Sequence, residues 1–331
     1  MKSSPNLAVE IAGIGSYLPE KKLTNHDLEQ MVDTSDEWIT KRTGIKERRI
    51  ADDSEATSDL AAVAARRALQ DAGMEAEDLD AVLVCTCTPD YFFPATACLV
   101  MNSIGAENAV AFDLEAACSG FVYGMMQGAS MIGSGMAENI LVIGAETLSR
   151  VTDWSNRRSC ILFGDGAGAA VLTPAQNGGK IIFCETGGDG SRPEILIIPA
   201  GGTREPASQE TVEQGKHNMQ LHGREVFKWA VGKLGELVDT IPEETGISLE
   251  EVDLIIPHQS NERIIRSVCR RADLPQDKAF MNIDHAGNTS AASIPLALHE
   301  AVQEGRLQRG DLLLLLAFGG GVTWGSMLLR Y

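Results

Sequence analysis

At 331 residues the chain is long enough for one large α/β domain or two of ordinary size, and its 44% hydrophobic content supplies a substantial core, which excludes a small cross-linked scaffold. A formal net charge of -18 argues against general nucleic-acid binding, because neutralising phosphates takes a basic surface, so an anionic partner must meet a local basic patch. The seven cysteines are odd in number and irregular in spacing, and "CTC" at Cys85 to Cys87 lacks the second pair of a zinc site; reduced thiols in a cytoplasm, and no metal, are expected.

The opening "MKSSPNLAVEIAG" is interrupted by Glu10 and does not read as a signal peptide. "DEWITKR" reads as an amphipathic helix with Trp38 and Arg42 on one face, which a core-packed Trp38 explains equally well. "QDAGMEAEDLDAVLVC", Gln70 to Cys85, is a helix end, a Gly stop, an acidic turn and a continuous apolar strand. The aromatic cluster "DYFFPAT", Asp90 to Thr96, fits core or interface packing. In "LEAACSGFVYGMMQGA", Leu114 to Ala129, Cys118 stands between a short apolar run and a helix of small, flexible residues. "NILVIGAE" is a further strand, and "FGDGAGAA", Phe163 to Ala170, reads as a tight turn beneath the site rather than a nucleotide loop. Pro199 to Asn218 is the main loop. "EETGISLEEVDLIIPH", Glu243 to His258, is a second helix end and strand, followed by "PHQSN" and by Arg263, Arg266, Arg270 and Arg271 at helical spacing. "AGNTSAA" carries Asn288. "LLLLLAF" from Leu312 is too short to span a bilayer and reads as a buried strand, and "FGGGVTWG", Phe318 to Gly325, lacks the spacing and the Lys of a phosphate loop.

The chain also resembles itself. Gln70 to Cys85 aligns without a gap on Glu243 to His258, and "AVAFDLEAAC", ending at Cys118, on "AFMNIDHAGN", ending at Asn288. The small-residue helices then run to Gly135 and Gly305, and "NILVIGAE" and "DLLLLLAF" follow in register. One α/β unit is used twice. Continuous Val/Ile/Leu strands alternating with helices imply sheets covered on both faces, with ligands at the carboxyl ends of the strands. His258 then lies at a strand end, Cys118 and Asn288 lie in equivalent strand-to-helix turns, and a pseudo-twofold relation brings the three to one site.

A thiolate attacks carbonyls, and a helix N-terminus can bring a cysteine pKa from about 8.5 towards neutrality. That setting makes Cys118 a candidate nucleophile, although a lone cysteine is more often a buried structural residue. Taken singly, His258 reads as a satisfied polar residue and Asn288 as a turn or cap. Together they are two neutral hydrogen-bond donors beside a nucleophile, suited to an anionic oxygen on a thioester. His285 is a rival, but it aligns with Glu115 and has no strand-end setting.

"TSDEWITKRTGIKERRI", "AACSGF", "GREVFKWAV", "PHQSNERI", "GNTSAAS" and "FGGGVTWG" follow one another over nearly the whole chain. With them the sequence closely resembles the β-ketoacyl-acyl-carrier-protein synthase III family of initiating condensing enzymes, within the thiolase-like superfamily. The resemblance implies an α/β thiolase-like fold of two pseudo-symmetric halves, 1–178 with Cys118 and 179–331 with His258 and Asn288, in an alternating helix/sheet (αβαβα) arrangement. It also implies a homodimer. The family's triad falls on Cys118, His258 and Asn288, and its oxyanion hole on the amides of Cys118 and Gly320. CoA contacts fall on Thr34, Trp38, Arg42, Arg157, Phe227 and Asn261, with Arg158 the neighbouring alternative to Arg157 for stacking on the adenine. Phe93 would close the partner's acyl pocket, and Lys228, Ser260, Arg263, Arg270 and Arg271 would meet the acyl carrier protein.

The implied reaction condenses an acyl-CoA, acetyl-CoA being the expected primer, with malonyl-acyl-carrier protein, and needs no cofactor, no nucleic acid and no membrane. Ala286 and Ser260 depart from the family pattern and bear on fine specificity. Two competing readings are an acyltransferase that loads another acceptor and a non-catalytic acyl- or carrier-binding module; an activated thiol speaks against the second. A Cys-His-Asn protease lacks its local cysteine motif here.

Overall fold

The computed structural model describes residues 1–176 and 178–331. Its first sheet comprises β1 (Val9–Tyr17), β2 (Ala81–Cys85), β3 (Val110–Leu114), β4 (Ile140–Thr147) and β5 (Asp165–Pro174), in the order β1-β5-β4-β2-β3. The second joins the two-residue strand Lys2–Ser3 to β6 (Lys180–Gly188), β7 (Leu254–Pro257), β8 (Leu312–Gly319) and β9 (Thr323–Arg330), in the order Lys2–Ser3, β6, β9, β8, β7. The N-terminus thus reaches into the sheet of the other half. In the first sheet β2 pairs in parallel with β3 and β4, and in the second β7 pairs in parallel with β8, while the remaining neighbours pair antiparallel.

The uninterrupted apolar strands divide by period two between two layers. Leu83 and Cys85 of β2, Val142 of β4, and Leu313 and Leu315 of β8 share one central core with helices α4 (Gly120–Gly133) and α7 (Ser293–Gln303). Val82, Val84, Leu141 and Ile143 face outward to α2 (Thr57–Ala72) and α3 (Thr96–Ile104), and Leu314 and Leu316 to α5 (Gly223–Thr245) and α6 (Glu262–Arg271). The result is five alternating layers of helix and sheet, the thiolase-like architecture. Small residues make the middle layer possible: a Cβ on Gly124 would stand 2.6 Å from Cys85 Sγ and 2.8 Å from Val142 Cγ1. Among the described residues no helix is long and apolar enough to cross a membrane.

Three sequence expectations change. Asp80 N–H donates to Asn139 O and Asp253 N–H to Leu312 O, both at 2.9 Å, so Asn139 corresponds to Leu312. "NILVIGAE" and "DLLLLLAF" are therefore one residue out of the register read from the sequence, a slip that exchanges inward and outward faces. "FGDGAGAA" is not a tight turn but the start of β5, whose glycines admit a helix: a Cβ on Gly168 would lie 2.7 Å from Pro295. The turn holding Asn288 also differs from that holding Cys118. β3 has as its counterpart only a bridge at Ala279, then a short helix Ile283–Ala286, and the 3-10 turn into α7 begins at Ser290, after Asn288.

Candidate active site

Cys118 lies within the 3-10 turn Ala117–Ser119 that runs into α4, and Ala117 holds φ 45°, a region that favours glycine. The loop between β8 and β9 closes onto this turn. A Cβ on Gly319 would stand 2.6 Å from the Cys118 amide nitrogen, and Thr323 Oγ1 donates to Ala116 O at 2.9 Å. With that approach the amides of Cys118 and Gly320 both stabilise negative charge on the Cys118 sulfur.

The helix start does not lower the thiol pKa as the sequence suggested. Burial pushes it up to about 12, and the charge of Glu146 adds to the rise, while the Ser290 hydroxyl and the two amides pull the other way. The sign follows from magnitudes: a helix N-terminus is worth about 0.3–1 kcal/mol, under one pKa unit at about 1.4 kcal/mol, whereas Cys118 is only 7% exposed.

His258 extends the β7–β8 pairing, its N–H donating to Leu316 O at 2.7 Å, and its ring meets Phe318 edge-on at 5.3 Å. Its Nδ1 lies 2.7 Å from Ser293 Oγ, and that oxygen accepts from the Gln259 N–H at 3.4 Å. With the Ser293 hydroxyl assigned as the donor to Nδ1, the ring proton sits on Nε2. Nε2 is buried without a partner among the described residues. Burial brings the imidazole pKa down to about 3, so the ring is neutral and presents one donor.

Asn288 is positioned by the other half of the molecule. Its N–H donates to Leu162 O and its carbonyl accepts from the Gly164 N–H, both at 2.9 Å. Its Oδ1 accepts from the Ser290 N–H at 2.9 Å, so the side-chain amide turns its N–H groups the other way. The Cys118 and Asn288 turns meet directly, since a Cβ on Gly120 would lie 3.4 Å from Ala291 Cβ. A sulfur beside two amides can take an acyl group and stabilise the resulting oxyanion, and the free N–H groups of His258 and Asn288 suit a second oxyanion. His285 is not part of this group; it lies between Asp284 and Glu300, at 2.9 Å and 3.0 Å.

Three residues of the site escaped the sequence reading. Ser293 fixes the His258 tautomer, and Ser290, at φ 48° and 2% exposed, stands beside the thiol. Glu146, fully buried at the end of β4, accepts from Thr88 Oγ1 at 2.6 Å and from Cys87 Sγ at 3.2 Å. Only Glu146 left a trace: it is a lone charge ending the apolar run "NILVIGAE".

Residues 112–190 match the family described as 3-oxoacyl-[acyl-carrier-protein] synthase III, and residues 243–331 match its C-terminal counterpart. A curated relative from Caldanaerobacter subterraneus subsp. tengcongensis, named beta-ketoacyl-[acyl-carrier-protein] synthase III, is 52% identical over 98% of both chains. The chain belongs to this family. A Desulfitobacterium hafniense member with the same name is 50% identical over 98% of each chain. The crystal structure of the Aquifex aeolicus synthase III superposes with a TM-score of 0.90 at 48% identity, covering 98% of this chain and 100% of that one.

Two of the family's expected CoA residues, Trp38 and Arg42, form a platform on α1 (Asp36–Thr43). Half-buried Trp38 carries Arg42 at 4.9 Å and Arg157 at 5.2 Å from its ring centroid. Thr34 Oγ1 is buried without a partner among the described residues. Asn261 caps α6 and donates to Arg42 O at 3.1 Å, tying the second half to this platform. Phe227 lies under Arg263 at 5.5 Å.

Lys228, Arg263, Arg270 and Arg271 are exposed, and Arg271 pairs with Asp239 at 2.7 Å. Ser260 does not join them: it is 9% exposed and its Oγ is buried, because the segment after His258 turns inward before α6 begins. Phe93 is 86% exposed, as is the neighbouring Phe92 at 84%.

Proposed function

We propose that the chain catalyses the initiating condensation of fatty acid synthesis with Cys118, His258 and Asn288 as its working groups. The single observation that carries this reading is that two side chains beside a buried thiol have their acceptor atoms already engaged, His258 Nδ1 by Ser293 and Asn288 Oδ1 by Ser290. What remains is a pair of N–H donors.

Cys118 attacks the carbonyl of acetyl-CoA, the tetrahedral oxyanion rests on the Cys118 and Gly320 amides, and CoA departs as thiolate. Malonyl-acyl-carrier protein then enters and loses carbon dioxide. His258 and Asn288 hold the enolate oxygen of its thioester, and each such donor is worth roughly 3–4 kcal/mol of barrier. The carbanion attacks the acyl-Cys118 carbonyl, Cys118 leaves, and a 3-ketoacyl-carrier protein results. Neutrality of His258 suits this role, because a neutral donor needs no counter-ion in a buried site.

Trp38, with Arg42 and Arg157, is the proposed CoA nucleotide platform, and Lys228, Arg263, Arg270 and Arg271 are the proposed landing for the acidic carrier protein. The exposed Phe92 and Phe93 border a cleft of about 830 Å³ that reaches Cys87. Large exposed aromatics on one loop support a homodimer in which Phe93 closes the partner's acyl pocket. The two halves, 1–178 and 179–331, then act as one unit at a central site, and seven unpaired cysteines support a cytoplasmic setting.

Intact-protein mass spectrometry tests the reading. Acetyl-CoA should add one acetyl group to the wild type and none to Cys118→Ser, and malonyl-carrier protein should discharge it as acetoacetyl-carrier protein. Stable acetylation without discharge would transfer the assignment to an acyltransferase with another acceptor.

A further inference from the structure

Glu146 has no part in the reaction just described, yet it is the charged group buried nearest the thiol. It ends β4 fully buried and collects donors from Thr86 Oγ1 at 3.2 Å, Thr88 Oγ1 at 2.6 Å, the Cys87 N–H at 3.2 Å and Cys87 Sγ at 3.2 Å. Such a site is built to keep a carboxylate inside a protein. Ser290 lies on a turn that packs against both β4 and the Cys118 turn, through Ala291 at Gly144 and Gly120. Its hydroxyl is 3.9 Å from Cys87 Sγ and favours the ionised form of both Cys118 and Glu146. To be there, Ser290 holds φ 48°, a strained conformation for a residue with a side chain, against Gly144, where a Cβ would lie 2.2 Å from Ala291 O.

We propose that Glu146 is the proton acceptor for Cys118, acting through the Ser290 hydroxyl. As Cys118 attacks, its S–H proton passes to Ser290 Oγ and the Ser290 proton passes to the Glu146 carboxylate, leaving a thiolate, an unchanged serine and a neutral carboxylic acid. CoA leaves as thiolate and takes a proton from water. When condensation expels Cys118 as thiolate, the Glu146 proton returns by the same route, so one full turnover consumes one proton from solvent, as decarboxylation of a malonyl carboxylate requires.

The physical reason is charge conservation. Ionising Cys118 to solvent beside an ionised Glu146 would place two anions in one buried pocket, which is part of why the thiol pKa is high. Moving the proton between them keeps the pocket at one negative charge while the thiolate forms. Burial also raises the Glu146 pKa above 4.5, the direction that makes its carboxylate a better proton acceptor. The titratable groups facing Glu146 are Cys85, which ends β2, Cys87 just beyond it, and Cys118 at the start of α4.

The inference rests on Cys118 as nucleophile, and its test needs no acyl substrate. The rate of Cys118 alkylation by iodoacetamide, read by peptide mass mapping from pH 5 to 10, is compared for wild type, Ser290→Gly, Glu146→Gln and Glu146→Asp. Gly accepts the φ of position 290 while removing the hydroxyl, so that variant tests the relay even where Glu146→Gln fails to fold. Expected at pH 7 is at least a tenfold slower alkylation for Ser290→Gly and Glu146→Gln, with profiles displaced to higher pH and most of the rate retained by Glu146→Asp. Faster alkylation of Glu146→Gln at lower pH would overturn the proposal, making Glu146 a like-charge suppressor of the thiolate, and an unchanged Ser290→Gly profile would remove the relay. Acetylation of the wild type by acetyl-CoA at a residue other than Cys118 would instead refute the nucleophile itself.

Discussion

Glu146 and Gly319 occupy equivalent places in the two halves, at the ends of β4 and β8, yet one is a buried carboxylate and the other has no side chain. Gly319 belongs to the second half and lets the β8–β9 loop press on the Cys118 amide of the first, where a Cβ would stand only 2.6 Å away. Glu146 belongs to the first half and lies beside Ser290, in the Asn288 turn of the second. Each central strand therefore serves the other half's turn. The repeated unit gives one asymmetric site because the equivalent strand ends differ, one allowing close backbone approach at the Cys118 amide and the other holding a buried carboxylate behind it.

The division of labour between the halves breaks most visibly at Asn288 or His258. Asn288→Ala and His258→Ala should each lower condensation by about 10²–10³-fold while leaving acetylation of Cys118 within a few-fold, measured as separate half-reactions in rapid-quench experiments. Equal losses in both halves of the cycle would show that the two turns do not divide the work. A smaller effect separates the two substrate surfaces. Reversing Arg263 to Glu should raise KM for malonyl-carrier protein by about tenfold and spare self-acylation by acetyl-CoA, since a rim charge acts mainly on encounter; similar effects on both substrates would remove the docking assignment.

The backbone of the two turns offers a finer comparison. Gly287 holds φ 70° with a would-be Cβ 3.0 Å from Arg48 Cβ, whereas Ala117 already tolerates φ 45°. Gly287→Ala should cost about 1–2 kcal/mol in urea denaturation, and Ala117→Gly should gain up to about 1 kcal/mol by releasing strain. The smallest difference expected is between His285 and its sequence counterpart Glu115. Hydrogen bonds donated to Asp284 and then Glu300 raise the His285 pKa from 6.5 to about 10. The stability this provides is complete below pH 6.5 and is lost as pH rises through 10; screening at a half-exposed site limits it to about 1 kcal/mol. His285→Gln should flatten denaturation midpoints over that window, and Glu115→Gln should leave the slope in place.

Much of this was legible in the residues. Continuous strands bounded by Gly stops, the small-residue helices after Cys118 and Asn288, and a gapless self-alignment give layered sheets and put His258 at a strand end, because these depend on local pattern and on the period of two. Arg263, Arg270 and Arg271 at helical spacing likewise read directly as a stripe. The register of β4 against β8 did not, since "LLLLLAF" is apolar at every position and a one-residue slip costs the alignment nothing. Nor did the thiol's pKa, which depends on what buries Cys118 and not on its own helix.

The sequence by itself determined that one α/β unit is used twice, that a His ends a strand and that a Cys and an Asn precede small-residue helices, because periodicity, glycine stops and motif order are written along the chain. Tertiary structure alone decided how those joints meet. Asn288 is held by Leu162 and Gly164, His258 receives its tautomer from Ser293, and the Cys118 sulfur shares Ser290 with Glu146. Such contacts join residues tens to more than a hundred positions apart, and their energies depend on burial and close approach, which are properties of the assembled layers and not of any segment.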